Sequence, residues 1–270
     1  MCEAGAEPVT FAPMPSFVPS ALPLPKTLVL VPLLLGCGAL VQVAAFWRGI
    51  QRARTFAAQG RRFERRRSEQ GPRILILGDS TGVGVGASRP EESIAGLLAA
   101  DFPDADVVNV SESGAKVADT LAQVRACAAQ GLRFDLALLH VGGNDVVRAT
   151  APAKLADDCE HLLEELGRLA DRSLWLGPPN LGIAPLFQPP FSWVVAARSR
   201  AATTIFVDCA ARHGVTFVNF SSPEHEAEFV RARAEHFAAD RFHPSSSSYR
   251  YGWSVARRAV DFSAFGAKQT

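Results

Sequence analysis

From residue 73 onward the sequence alternates short apolar runs with longer stretches that read as helices, and this alternation narrows the fold more than any other feature. The runs are Ile74–Gly78, Asp106–Val110, Phe134–Val141, Ser173–Leu176 and Val215–Phe220. Short, nearly continuous apolar runs of this kind read as strands of a parallel sheet buried on both faces, and Phe134–Val141 is the most central. Between them lie Glu91–Phe102, Val117–Gln130, Ala153–Leu169, Trp193–His213, Pro223–Ala238 and Ser247–Phe262. In the third of these, Leu155, Leu162, Leu163, Leu166 and Leu169 follow the helical period. Strands alternating with helices imply right-handed crossovers and a sheet covered on both sides. The expected fold is α/β: a flavodoxin-like, three-layer α/β/α sandwich with a five-stranded parallel sheet.

In such a sheet the turns after the strands share one edge, where open α/β folds bind ligands. The first strand runs into Gly78-Asp79-Ser80-Thr81, followed by glycines at 82, 84 and 86. The second delivers Asn109-Val110-Ser111-Glu112-Ser113-Gly114, and the third Gly142-Gly143-Asn144-Asp145. Before the last helix comes Asp240-Arg241-Phe242-His243-Pro244. The rival reading, a nucleotide-binding domain, fits poorly: the glycine spacing is wrong for G-x-G-x-x-G, the second run ends without an acidic residue for a ribose, and the absence of a following G-K-[ST] excludes a P-loop. The three glycines instead read as room for a substrate beside Ser80.

Acyl transfer needs a nucleophile, a base, a group to orient that base, and donors aimed at an oxyanion. Ser80 supplies the first, His243 the second and Asp240 the third. The N–H groups of Ser80 and Gly114 and the side-chain amide of Asn144 supply the donors. Asp79 reads as a loop brace and Asp145 as a cap or turn former. His161, His213, His225 and His236 fall on helices, and His140 reads as a core residue of the third strand.

Gly78-Asp79-Ser80, then Gly114, then Gly142-Gly143-Asn144-Asp145, then Asp240-x-x-His243-Pro244 resembles the four blocks of the SGNH, or GDSL, hydrolases, in order, over about Arg73 to Ala259. Thr81 stands where that family often has leucine. The resemblance implies the SGNH hydrolase fold and a serine hydrolase that cleaves carboxylic esters or thioesters through an acyl-serine, with no metal or organic cofactor. Its serine, glycine, asparagine and histidine correspond to Ser80, Gly114, Asn144 and His243, with Asp240 as the acid. A carboxylesterase or lysophospholipase-like activity is expected, with a carbohydrate O-acetyl esterase or thioesterase as the alternative within the fold. An inactive membrane-tethered interaction domain is the non-enzymatic alternative.

For the substrate side, Gly177–Phe191 contains five prolines and excludes regular helix or strand. A long irregular loop inside a domain usually serves function. Leu181, Ile183, Leu186, Phe187 and Phe191 within it, and Trp193 beside it, are therefore expected to line an acyl pocket or form a lid for a small-molecule or lipid ester, the alternative being that the loop packs on its own domain.

The domain is expected over 73–264, with a tail at 265–270. Ahead of it, residues 1–26 read as a disordered leader rich in Pro, Ala and Ser. Residues 27–47 carry no charge and match the ~20 residues needed to cross a bilayer as a helix. Residues 48–72 read as a basic juxtamembrane linker. Nine arginines between Arg48 and Arg73, against lone Lys26, predict a single-pass membrane protein with its hydrolase domain on the cytoplasmic side. The competing readings are a signal peptide cleaved near Val43-Ala44-Ala45 and a lipoprotein signal at Leu34-Leu35-Gly36-Cys37, either of which makes the domain periplasmic. A net charge of +1 argues against nucleic acid as a partner. Five scattered cysteines without a C-x-x-C pair suggest neither a zinc site nor a disulfide framework.

Overall fold

The five apolar runs form one sheet in a computed structural model, which describes residues 44, 47–66 and 71–260. The strands are β1 (Arg73–Gly78), β2 (Asp106–Asn109), β3 (Leu136–His140), β4 (Ser173–Leu176) and β5 (Thr216–Val218), in the order β2-β1-β3-β4-β5. Every neighbouring pair is parallel, and β3, fully buried, is the middle strand. This is the flavodoxin-like order, in which the chain reverses direction across the sheet between β1 and β3.

Helices cover both faces because side chains alternate along each strand. Leu75, Leu77, Ala137, Leu139 and Trp175 point to one side. There they pack against α4 (Val117–Ala129), α6 (Pro152–Leu169) and α7 (Phe191–Arg212) through Val124, Leu162, Leu166 and Phe206. Ile74, Ile76, Leu136, Leu138, Leu174 and Leu176 point to the other. They meet Ile94 and Leu98 of α3 (Ile94–Asp101) and Tyr249 and Trp253 of α10 (Ser246–Ala259). Short helices α2 (Ser80–Val83) and α5 (Gly143–Val147) follow β1 and β3 directly. The cysteines of the domain, Cys127, Cys159 and Cys209, are free and buried.

Three helix boundaries differ from the sequence reading for local reasons. The helix expected from Glu91 begins at Ile94, because the Ser93 side chain caps it by accepting from Gly96 N at 3.2 Å. Pro90–Glu92 forms a separate 3₁₀ turn. The helix expected over 223–238 breaks at Ala232 into α8 (Pro223–Arg231) and α9 (Arg233–His236). The break turns His236 back onto Glu228, at 3.3 Å, and onto the rings of Phe229 and Tyr251. The last helix ends at Ala259, and 261–270 lie outside the described residues.

Of the stretch read as a linker, residues 48–66 pack on the domain. Helix α1, residues 47–57, buries Ala53 and brings Phe56 beside the His243 ring. Further on, Asn109 donates to Phe63 O at 3.4 Å, and Arg65 pairs antiparallel with Val107, the backbone bonds measuring 3.0 and 2.7 Å. The Arg65 guanidinium also donates to the carbonyls of Ala105 and Phe102. The many arginines suggest a solvated tether, but an arginine also satisfies carbonyls left exposed at a sheet edge. The expected span over 27–47 lies outside the described residues apart from Ala44 and Trp47. Among the described residues no helix is long and apolar enough to cross a membrane.

Candidate active site

Gly78 closes β1 with φ at 125°. A Cβ here would lie 1.8 Å from His140 O, so only glycine fits. The turn is clamped from both sides: Asp79 N donates to His140 O at 2.7 Å, and Gln123 of α4 bonds both Gly78 N and Gly78 O, at 2.9 and 3.0 Å. Asp79 then caps α2, its Oδ1 accepting from Thr81 N at 2.8 Å. Ser80 is thereby held at the first position of α2, where its own N–H has no intrahelical acceptor. Asn109 braces this turn by donating to Gly82 O at 2.9 Å, and Tyr249 does so by donating to Val85 O at 2.8 Å. The glycines at 82, 84 and 86 do not leave room for a substrate. Side chains there would strike Ser111, Ser93 and Pro244, so these glycines serve close packing.

The turns after β2 and β3 are tied together. Gly114 adopts a left-handed φ of 89°, and the next residue, Ala115, accepts from Asn144 Nδ2 at 3.0 Å. One amide hydrogen fixes the Asn144 side chain and the other is left for a ligand. Asp145 accepts from Val117 N at 3.0 Å and from Thr150 Oγ1 at 2.9 Å, which is a structural role.

The last turn is pinched between Phe237 and Pro244, with Ala238 N donating to His243 O at 2.8 Å. Within it, Asp240 Oδ1 accepts from the N–H groups of Phe242 (3.1 Å) and His243 (3.0 Å). Asp240 Oδ2 meets His243 Nδ1 at 2.5 Å, and His243 Nε2 meets Ser80 Oγ at 3.0 Å. Burial pushes the Asp240 carboxyl up most strongly. Its hydrogen bond to the imidazole, the imidazole's charge and the two N–H bonds together outweigh burial and hold it below the ordinary carboxylate value. The His243 ring is flanked by Phe242 at 5.1 Å between ring centroids and by Phe56 of α1 at 6.3 Å.

Asp79 is the electrostatic exception. Buried and with few partners, its carboxyl is pushed up to about 6, chiefly by loss of solvation. The folded chain therefore keeps a proton that the unfolded chain releases near pH 3.8, and stability falls as the pH rises from there to about 6. That shift corresponds to about 3 kcal/mol. Asp79→Asn retains the cap without the charge. Urea unfolding should show it more stable than the parent by up to about 3 kcal/mol at pH 8 and little changed at pH 4. Equal gains at both pH values would contradict this account.

A cavity opens beside Ser80 and His243 and runs between the sheet and α10. Ile94, Leu176, Leu181, Phe220, Phe229, Phe237 and Phe242 form its apolar wall, and His140 and Asn144 also face it. Ser80, Asn144, Asp240 and His243 are thus brought together as expected, with Gly114 next to the anchor of Asn144.

The aromatic residues expected to line the pocket do not. The proline-rich loop folds inward, Leu186 N donating to Arg241 O at 3.0 Å. Phe187 is consequently buried behind Phe242, at 5.7 Å between rings, and outside the cavity wall. Phe191 begins α7 and Trp193 lies on its outer side, 69% exposed; neither lines the cavity. Gln123, Asn109 and Phe56 contribute to the site without having been singled out for it. A glutamine among the apolar positions of α4 was the one available signal.

Residues 76–251 match the model of the GDSL-like lipase/acylhydrolase family. The chain is 33% identical over 142 residues to esterase TesA of Pseudomonas aeruginosa, covering 49% of this chain and 69% of that protein. Among solved structures, TesA is similar with a TM-score of 0.54 at 24% identity, covering 70% of this chain and 99% of that one. The acetylxylan esterase Axe2 of Geobacillus stearothermophilus, in a catalytic mutant form, is similar at 0.54 and 20% identity, covering 72% and 96%. At these identities the structural likeness concerns the fold.

Proposed function

The chain belongs to the GDSL-like lipase/acylhydrolase family and hydrolyses ester bonds, and on that premise we propose that it is a carboxylesterase for esters with a hydrophobic acyl group, lysophospholipids included. The observation that carries the proposal is the hydrogen-bonded series Asp240–His243–Ser80 at the mouth of an apolar cavity. In this reading Ser80 Oγ attacks the carbonyl carbon while His243 Nε2 takes its proton. Asp240 keeps the other imidazole proton on Nδ1 and stabilises the imidazolium. The oxyanion is met by the N–H groups of Ser80 and Gly114 and the free amide hydrogen of Asn144. As the tetrahedral intermediate collapses, the alcohol leaves with the proton from His243, and water then enters by the same route to release the acid and restore Ser80.

The wall of Ile94, Leu176, Phe220, Phe229 and Phe237 supports an acyl chain longer than acetyl, because each buried methylene contributes about 0.8 kcal/mol. A fluorophosphonate should label the peptide that contains Ser80. A panel of esters from acetyl to palmitoyl should give rising kcat/KM beyond acetyl. Preference for acetyl over every longer chain would overturn the hydrophobic substrate and favour an O-acetyl esterase.

A further inference from the structure

The cavity beside Ser80 is apolar along most of its wall, yet His140 faces it. His140 is the last residue of β3 and shares the strand face of Leu136 and Leu138. That is the face carrying Leu176 and packing against Ile94, Phe220, Phe229 and Tyr249, all of which line the same cavity. The side chain is only 6% exposed, and its Nε2 has no hydrogen-bond partner among the described residues. Two other polar side chains on the wall are engaged, Tyr249 donating to Val85 O and Asn180 accepting from Gly182 N and donating to Glu226, and the Ser248 hydroxyl also lines it. Burial pushes the His140 imidazole down to about 3, so at neutral pH it offers one N–H donor and one lone pair. A buried polar group left unpaired is unfavourable; Nε2 is enclosed, so a ligand gains a bond to the ring by seating in the cavity against His140 and displacing the packing over it.

The position sets where that bond falls. His140 is the register partner of Gly78, two residues before Ser80, and its carbonyl accepts from Asp79 N. The ring therefore stands near the reacting carbonyl and away from the far end of a long acyl chain. We infer that His140 binds a hydroxyl on one of the first few carbons of the acyl group, so that the preferred substrates are hydroxyacyl esters. This assignment rests on the acyl-serine reading above and narrows its substrate class.

The test compares butyrate, 2-hydroxybutyrate and 3-hydroxybutyrate esters of one alcohol on the full-length protein, with each kcat/KM divided by the rate of hydroxide-catalysed hydrolysis. The parent should favour one hydroxylated ester over butyrate by about tenfold. His140→Leu should bring that ratio close to one, and His140→Gln, which keeps a donor and an acceptor, should retain part of it. A parent that treats the three esters alike, or that prefers butyrate, overturns the inference without relying on any variant to fold. A preference that persists in His140→Leu overturns it too. Turnover of butyrate without a hydroxyl preference leaves the esterase reading standing; turnover of none of the three overturns the hydroxyacyl inference, and removes the esterase reading only if the acetyl-to-palmitoyl panel is silent as well.

Discussion

Ser80→Ala is expected to lower kcat for ester hydrolysis by about 10⁴- to 10⁶-fold while changing unfolding stability by no more than about 1 kcal/mol. The large effect follows from the geometry: Ser80 Oγ, 3.0 Å from His243 Nε2, is the only hydroxyl hydrogen-bonded to that base among the described residues. Without it the base has no nucleophile to activate. The small effect follows because the turn is held by other atoms, namely the Asp79 cap, the Gln123 clamp on Gly78 and the Asn109 bond to Gly82. The oxyanion donors would remain, so a residual acceleration of about 10³-fold over water is compatible with the scheme. Pre-steady-state assays on protein whose thermal melt matches the parent would measure it. Turnover within tenfold of the parent would remove Ser80 from the reaction.

Asp240→Asn should lower kcat by about 10⁴-fold with the loop intact. Asparagine keeps the oxygen that accepts from Phe242 N and His243 N, so the pinched turn between Phe237 and Pro244 persists. The other carboxylate oxygen becomes an amide N–H facing His243 Nδ1. The imidazole must then carry its proton on Nε2, where it cannot accept one from Ser80. The stability consequence has its own sign. The folded-state carboxyl lies below its ordinary value, so its contribution is present above about pH 4 and is lost as the pH falls through the lower, folded value. Parent and variant should therefore converge in stability in acid and differ at neutral pH. A kcat within tenfold of the parent would show that His243 needs no carboxylate.

The fold was legible because each strand is a compact apolar run, and a buried parallel sheet leaves few other arrangements for such runs. The site was legible for a related reason. Its residues sit in turns at strand ends, and parallel strands put those turns on one edge, so Ser80, Asn144 and His243 had to come near one another. What stayed hidden depends on directions that periodicity does not encode. Prolines announced that 177–191 is irregular, but not that it folds inward and buries Phe187 behind Phe242. Phe220, Phe229 and Phe237 carry no signal that separates them from core residues, since an apolar cavity wall and an apolar core have the same composition. Gln123 and Gly78 are 45 positions apart. Only the packing of α4 over β1 brings them together. The arginines of 48–66 suggested a tether, yet hydrogen bonds to carbonyls on β2 turn part of that stretch into domain structure.

The pairing of Arg65 with Val107 bears on how the folded chain coexists with its own copies. β2 is an outer strand, and its free side would present unpaired N–H and C=O groups able to recruit a strand from a neighbour. Arg65 occupies both backbone groups of Val107, and Arg62 reaches Asn109 O at 3.4 Å. At the opposite margin β5 spans only Thr216–Val218, too short to template a stable extension. The arginine-bearing lead-in thus acts as a gatekeeper against sheet-to-sheet polymerisation, and a domain cut to begin at residue 73 would lose that protection.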